Sequence, residues 1–311
     1  MHGRTPPEDR LRLSFLTRRR FLQAAAGVAA TGALALGEDS IMLEPQHPIL
    51  IAREVVLPRL PAVFDGFTIA QLSDFHYEER SALPIKAAID IANSLHPDVV
   101  ALTGDFVTVP PFHRRFHSAK RAAESAEPCA DLLSQLRARL GIFSVLGNHD
   151  IESDPRRITN ALDSRGLPVL RNRSVPIERG GSRIWLSGLD DVWEGNPDIE
   201  LALRGVPGNE LVVLLVHEPD FADEATYYPV DLQLSGHSHG GQIWLPGIGA
   251  PWLPQFARKY PRGMYRIGDL TLYTNMGLGT IRLPIRLNCT PEVTLFTLRT
   301  GDSAVKEKIE G

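Results

Sequence analysis

Cysteine is almost missing from this chain: 311 residues hold only Cys129 and Cys289, 160 positions apart. Neither stands in a Cys-x-x-Cys or zinc-ligand spacing, so a thiolate metal site or a dithiol redox centre is excluded and two buried free thiols are expected. No Gly-x-Ser-x-Gly, Walker-type or Rossmann glycine loop occurs, which removes the chemistries those loops support. Positive charge is also scarce. Six arginines against Glu8 and Asp9 give residues 1–37 a net of +4, so a total of −4 leaves the rest of the chain at −8. An acidic body of this kind is unsuited to duplex nucleic acid, which is bound by neutralising phosphates, and no specific nucleic-acid partner is expected. A small anionic substrate stays open, because bound metal ions can supply the positive field.

Long apolar runs are lacking too. The stretch Ala24–Gly37 spans about 14 residues, short for a membrane span and suited to the central region of an export signal. Thr17-Arg18-Arg19-Arg20-Phe21-Leu22-Gln23 precedes it. Paired arginines, an aromatic and a leucine before a weakly apolar run read as a twin-arginine signal, making the export machinery an expected partner. Ala33-Leu34-Ala35 offers a small-x-small cleavage site near residues 35–38, with retention as a membrane anchor the alternative. The expected destination is the periplasm or the outer face of the membrane. Such export moves folded proteins, so a metal site could be filled in the cytoplasm, away from competing zinc or copper.

What the chain does have is five short polar clusters, each just after a strand-like apolar run. The runs are Thr68–Ser73, Asp98–Thr103, Ile142–Leu146, Leu211–Val216 and Asp231–Ser235. The clusters are Asp74-Phe75-His76, Gly104-Asp105, Gly147-Asn148-His149-Asp150, His217 and Gly236-His237-Ser238-His239. Loops leaving the carboxyl ends of neighbouring strands converge on one crevice, so the five can build one site. Carboxylates, imidazoles and an amide without thiolate suit two divalent first-row metals, not a structural zinc or a calcium cage. Two such cations about 4 Å apart lower the pKa of a shared water and clamp phosphoryl oxygens, while an imidazole can protonate the departing alkoxide. Hydrolysis of a phosphate ester, a small molecule or a lipid, is the chemistry this donor set favours.

The ordered series from Asp74 to His239 resembles that of the calcineurin-like metallophosphoesterases. Gly236-His237-Ser238-His239-Gly240-Gly241-Gln242, Asn275-Met276-Gly277-Leu278-Gly279 and Pro291-Glu292-Val293 are similar to a bacterial branch containing exported phosphoesterases. The resemblance implies that Asp74, His76 and His239 hold a first metal and Asn148, His217 and His237 a second. Asp105 would bridge them, and His149 would stay off the metals near the leaving-group oxygen. Asp150 would orient His149 or a ligand. The resemblance further implies direct attack of a metal-bridging water on a phosphodiester or phosphomonoester. Relatives in that branch also make a pyrophosphate hydrolase of a UDP-diacylglucosamine type an alternative, and a non-catalytic metal-containing envelope protein is a third reading. The metal could be Mn, Fe or Zn.

Residues 48–300 are long enough for one core, followed by a polar tail, 301–311. Helical patterns cover Pro84–Leu95, Ala119–Leu140, Pro155–Ser164 and Pro197–Leu203, and further strands are expected at Ile184–Ser187, Leu270–Thr274 and Val293–Leu298. This order fits an α/β fold, a four-layer α-β-β-α sandwich with two mixed sheets and the metal site at the carboxyl ends of strands. Three features stay open between two readings. Phe106–Pro128, with His113, Arg114, Arg115, His117, Lys120 and Arg121, is a basic flap or a solvated loop. Gly247–Tyr265 is an apolar wall beside the metals or a surface excursion. Arg286 is a phosphate clamp or an ordinary surface arginine.

Overall fold

The computed structural model describes Gly37, residues 39–110 and residues 120–301; the signal segment up to residue 36, residues 111–119 of the basic 106–128 stretch and residues 302–311 of the tail lie outside them. The chain divides into two units, Met1–Asp39 and Ser40–Gly311, and all that follows concerns the second. Eleven strands and six α-helices are used below. The strands are β1 (Ile49–Val56), β2 (Thr68–Leu72), β3 (Val99–Leu102), β4 (Ile142–Ser144), β5 (Arg173–Arg179), β6 (Ser182–Gly188), β7 (Val212–Leu215), β8 (Leu232–Ser235), β9 (Gly263–Ile267), β10 (Leu270–Thr274) and β11 (Glu292–Arg299). The helices are α1 (Ala82–Ser94), α2 (Ala126–Leu133), α3 (Asn148–Ser153), α4 (Pro155–Asp163), α5 (Ile199–Ala202) and α6 (Ala222–Ala225).

Two mixed sheets form, in the orders β1-β11-β2-β3-β4 and β5-β6-β7-β8-β10-β9. In the first, β2, β3 and β4 run parallel; in the second, β6, β7, β8 and β10 do. Strand side chains alternate between faces, and the central strands show it plainly. Val99 and Ala101 of β3 join Val213 and Leu215 of β7 in an inner core between the sheets. Val100 and Leu102 turn outward to meet Ile85 and Ile89 of α1, Cys129 of α2 and Ile158 of α4. On the other side, Val212 and Leu214 meet Ile199 of α5 and Ala222 of α6. Strands buried on both faces read as continuous apolar runs, which is why these sequences hold no polar alternation. The result is the four-layer sandwich expected.

Helix ends differ from expectation in one place. The pattern over Ala119–Leu140 stops as an α-helix at Leu133, because the chain must turn back at Ser134–Gly141 to begin β4. Elsewhere caps match the residues: Asp154 accepts from Arg157 N and Asp198 from Leu201 N, closing the starts of α4 and α5. Cys129 and Cys289 are free and buried. Among the described residues, no helix is long and apolar enough to cross a membrane.

Phe296 is fully buried in the inner core, edge-on to Tyr273 at 5.1 Å between ring centroids. Phe296→Ala is expected to cost about 3–5 kcal/mol, since the sheets cannot collapse onto the space left. A denaturation midpoint that moves by less than a quarter of this would show that the inner core does not hold the two sheets together.

Candidate metal centre

Every ligand candidate leaves the carboxyl end of a parallel strand. Asp74 and His76 follow β2, Asp105 follows β3, and Asn148 and His149 follow β4 in one sheet. His217 follows β7, and His237 and His239 follow β8, in the other. Their backbone is contorted: Asp74, His76, Asp105, His237 and His239 all have positive φ, between 41° and 70°. Each such non-glycine residue costs about 1 kcal/mol or more, and persists only where its surroundings fix it. Here the loops bond one another. Asp74 N donates to Gly104 O at 3.0 Å, His76 N to Asp105 O at 2.9 Å, and Gly236 N to His217 O at 2.9 Å. Gly104, at φ 96°, is required twice over, for a Cβ there would lie 2.7 Å from both Gly147 N and His217 Nδ1.

The side chains converge. Asp74, His76 and His239 bring donor atoms within 4.8 Å of one another, and so do Asp105, His217 and His237. Asp105 joins both sides of the site, its Oδ2 lying 3.4 Å from His76 Nε2 and 3.2 Å from His217 Nε2. His149 also reaches this cluster, grouped with His76 and Asp105 and edge-on to the His76 ring at 4.9 Å. Asn148 is buried, and its Oδ1 has no hydrogen-bond partner; neither does His217 Nε2. Buried acceptors left unpaired in a polar cluster are what a cation would satisfy.

Tautomers are set from behind. His217 Nδ1, 2.6 Å from Thr103 O, donates to that carbonyl and leaves Nε2 free to bind. His237 Nε2 donates to Gln255 O at 2.8 Å, so its Nδ1 carries the lone pair. Metal-binding imidazoles characteristically give their other N–H to such a partner. His149 is wired the opposite way: Val109 N donates to its Nδ1 at 3.0 Å, placing the ring proton on Nε2. Burial lowers the pKa of His149 to about 4 and that of His237 to about 3, and with the His76 and Arg286 charges it holds His239 well below the ordinary value. Burial opposes charge on His217 as well, but the carboxylates of Asp105 and Asp74 outweigh it and raise that ring.

Asp150 touches neither His149 nor a ligand side chain. Its Oδ1 accepts from Phe106 N and Val107 N at 2.9 and 3.2 Å, and its Oδ2 from Gly147 N at 3.0 Å. It therefore pins the Asp105 loop to the Asn148 turn through their backbones. Both readings of Arg286, clamp and surface residue, are wrong. It is fully buried, and its guanidinium donates to the carbonyls of Met276, Cys289, Gly277 and Gly279 at 2.5–3.0 Å. The loop it gathers presses on the first ligand: Leu278 N and Gly279 N donate to Ser73 O and Asp74 O, at 3.0 and 2.7 Å.

A cavity of about 340 Å³ opens over the cluster, walled by Trp193, Trp252, Pro254 and Arg282. Trp193 stands edge-on to His237 at 5.6 Å, and Arg282 lies 4.3 Å over the Trp252 ring. The Gly247–Tyr265 segment thus divides: Trp252 and Pro254 wall the cavity, while Tyr260 and Tyr265 meet edge-on at 5.0 Å against the outer face of the second sheet. Of the basic loop, Phe106 and Val107 are buried and Lys120 and Arg121 exposed; His113, Arg114, Arg115 and His117 lie outside the described residues.

Residues 67–241 match the family of calcineurin-like phosphoesterases, over more than half of the chain. The chain belongs to that family. It is 36% identical to the metallophosphoesterase YkuE of Bacillus subtilis, across 92% of this chain and 98% of that one. It is 30% identical to the phosphodiesterase YaeI of Escherichia coli, across 91% and 99%. A transmembrane protein with a metallophosphoesterase domain from Danio rerio is 29% identical over 90% of this chain and 63% of its own length. The phosphoesterase is accordingly a metal-dependent hydrolase of phosphoric esters, and its clustered His and Asp side chains fit the dinuclear site typical of the family.

Two outcomes follow from this geometry. In metal-stripped protein, the His149 ring should titrate near pH 4, read from its imidazole NMR signals; a midpoint above 6 would contradict the burial described. Because an unfolded ring binds its proton near pH 6.5, the depressed rings destabilise the stripped fold as pH falls from about 6.5 toward 4. Arg286→Met should lower stability by about 3 kcal/mol or more, leaving four carbonyls unpaired, and reduce bound metal. Arg286→Lys should recover little of either, since an ammonium cannot span four acceptors held in a fork. Full recovery by lysine would mean that charge alone matters there.

Proposed function

We propose that this phosphoesterase hydrolyses a phosphodiester in the cell envelope, after export by the twin-arginine route, with two divalent cations held at the strand ends. Asp74, His76 and His239 would hold one, Asn148, His217 and His237 the other, with Asp105 shared. The position of Asp105 between the two histidine groups is the observation that carries the reading. Diester preference is supported by the similarity to a phosphodiesterase that aligns over almost its whole length. Export is supported by Arg18-Arg19-Arg20-Phe21-Leu22 before the apolar run.

Cations bound there supply an activated water and offset the phosphoryl charge. The protein's own groups do the rest. Asp105 is fixed in place by His149 N, which donates to its Oδ1 at 3.0 Å. Thr103 O and Gln255 O keep the lone pairs of His217 and His237 facing inward. His149, with its proton on Nε2 and its Nδ1 engaged by Val109 N, is set to donate to the departing oxygen. Arg282, in the cavity wall, would offer its guanidinium to a phosphoryl oxygen.

Full-length protein stripped and reloaded with Mn, Fe or Zn, then assayed on matched mono-, di- and pyrophosphate esters, tests this reading. About two metals per chain and a preferred diester are expected. Asp105→Ala and His237→Ala should lose both metal and activity. His149→Ala should keep its metals and lose about two to four powers of ten in rate, most severely with poor leaving groups. Full activity of Asp105→Ala toward bis-p-nitrophenyl phosphate would sink the metal-site account.

A further inference from the structure

Several of the large apolar side chains that reach solvent stand on loops at the carboxyl ends of the strands, the end at which the catalytic cavity opens. Leu83, 75% exposed, stands at the start of α1 just beyond β2, and Ile248, 77% exposed, and Trp252 occupy the loop after β8. Leu283, 56% exposed, projects from the loop that also carries Arg282, and Trp193 follows β6. Ile41 shares a small cavity with His76, Pro84 and Pro284, which ties the start of this unit to the same end. Of the others, Val63, Leu140 and Tyr227 precede β2, β4 and β8, while Ile49 and Leu50 lie on β1, Leu201 on α5 and Met264 on β9.

We propose that this end of the protein docks on a phospholipid bilayer, so that the cavity opens onto the lipid headgroups. The cavity's catalytic role is taken from the function proposed above; the docking itself does not depend on it. Three observations select a bilayer over a protein partner. The apolar groups project from separate loops that ring an open mouth, and a protein seated across them would cap the cavity. A bilayer instead presents phosphodiesters to it. Trp193 and Trp252 are amphipathic side chains of the type that settles at the headgroup level. The cationic Arg282 on the Trp252 face, with the exposed Arg258 further along the same segment, matches anionic lipid although the body as a whole is acidic.

Full-length protein bound to phosphatidylcholine–phosphatidylglycerol vesicles with brominated acyl chains provides the test. Tryptophan fluorescence of the vesicle-bound fraction should be quenched, and Trp252→Phe should remove a large part of that quenching. Leu83→Asp combined with Ile248→Asp should reduce it by roughly half or more, even where the amino-terminal segment still holds the chain to the vesicle. Tyr227→Asp, at the other end, should leave it unchanged. Bound protein without quenching, or quenching untouched by the double aspartate variant, would overturn the proposal. Hydrolysis of soluble bis-p-nitrophenyl phosphate without vesicles, measured on the double aspartate and Tyr227→Asp variants, should match the unsubstituted protein and shows that they fold. An unsubstituted, metal-loaded protein inert to that ester would defeat the proposed hydrolysis, while the quenching would still decide the docking.

Discussion

Asp105 lies at the junction of the two sheets, and much of the surrounding structure is arranged to keep its carboxylate there. One oxygen accepts from His149 N; the other lies between His76 Nε2 on the first sheet's side and His217 Nε2 on the second's. A single carboxylate can serve both groups only if the carboxyl ends of β3 and β7 are held at a fixed separation. The inner core sets that separation, with Val99 and Ala101 packed against Val213 and Leu215. Sheets packed face to face stand about 10 Å apart, a spacing that loops of one to four residues can bridge with side chains. The short gaps between strand end and ligand are therefore a geometric requirement.

That closeness has a conformational cost. A strand that ends and turns within two residues while aiming a carboxylate or imidazole back along the sheet axis leaves few backbone choices, and five of the site residues adopt positive φ. The strain is spread over loops that hydrogen-bond one another, so no single loop can relax alone. Asp150 and Arg286 work to the same end from opposite sides. The first is a buried carboxyl accepting from three amides, the second a buried guanidinium donating to four carbonyls. Neither touches a metal-binding atom, yet each fixes a loop that carries or presses on one.

The site was legible in the sequence because its residues are short, local words after apolar runs, and local order survives without knowledge of the fold. The central strands were legible for the same reason: β2, β3 and β7, buried on both faces, are largely apolar runs, and β8 and β10 set leucines at alternate positions. What went unread follows a physical pattern. The strands β1, β5 and β9 escaped notice, and all three are sheet edges. Edge strands face water, tolerate polar residues and even Pro176, and lose the alternation that marks a half-buried strand. Arg286 was misjudged because nothing in Pro-Ile-Arg-Leu records that four carbonyls surround it. Thr103 O and Gln255 O, which set two imidazole tautomers, were invisible for the same reason. Every residue has a carbonyl, and only the fold says where it points.

The electrostatics of the cluster explain why these residues make a poor core and a good binding site. Burial holds His149, His237 and His239 neutral, while Asp105 and Asp74 draw a proton onto His217. In the absence of a cation, burial raises the Asp74 carboxyl and the carboxylates raise His217, so protons stand in for the missing positive charge. A divalent cation beside Asp105 removes that conflict, because it balances the carboxylates and leaves His217 neutral with its lone pair engaged. Neutral imidazoles and ionised carboxylates are the protonation states that metal binding requires. Burial has already imposed the first on His237 and His239, while His217, raised by the carboxylates, has a proton to release. Metal affinity and fold stability are therefore coupled through His217 and its carboxylate neighbours, and the resolved conflict contributes to the free energy that holds the two strand ends together.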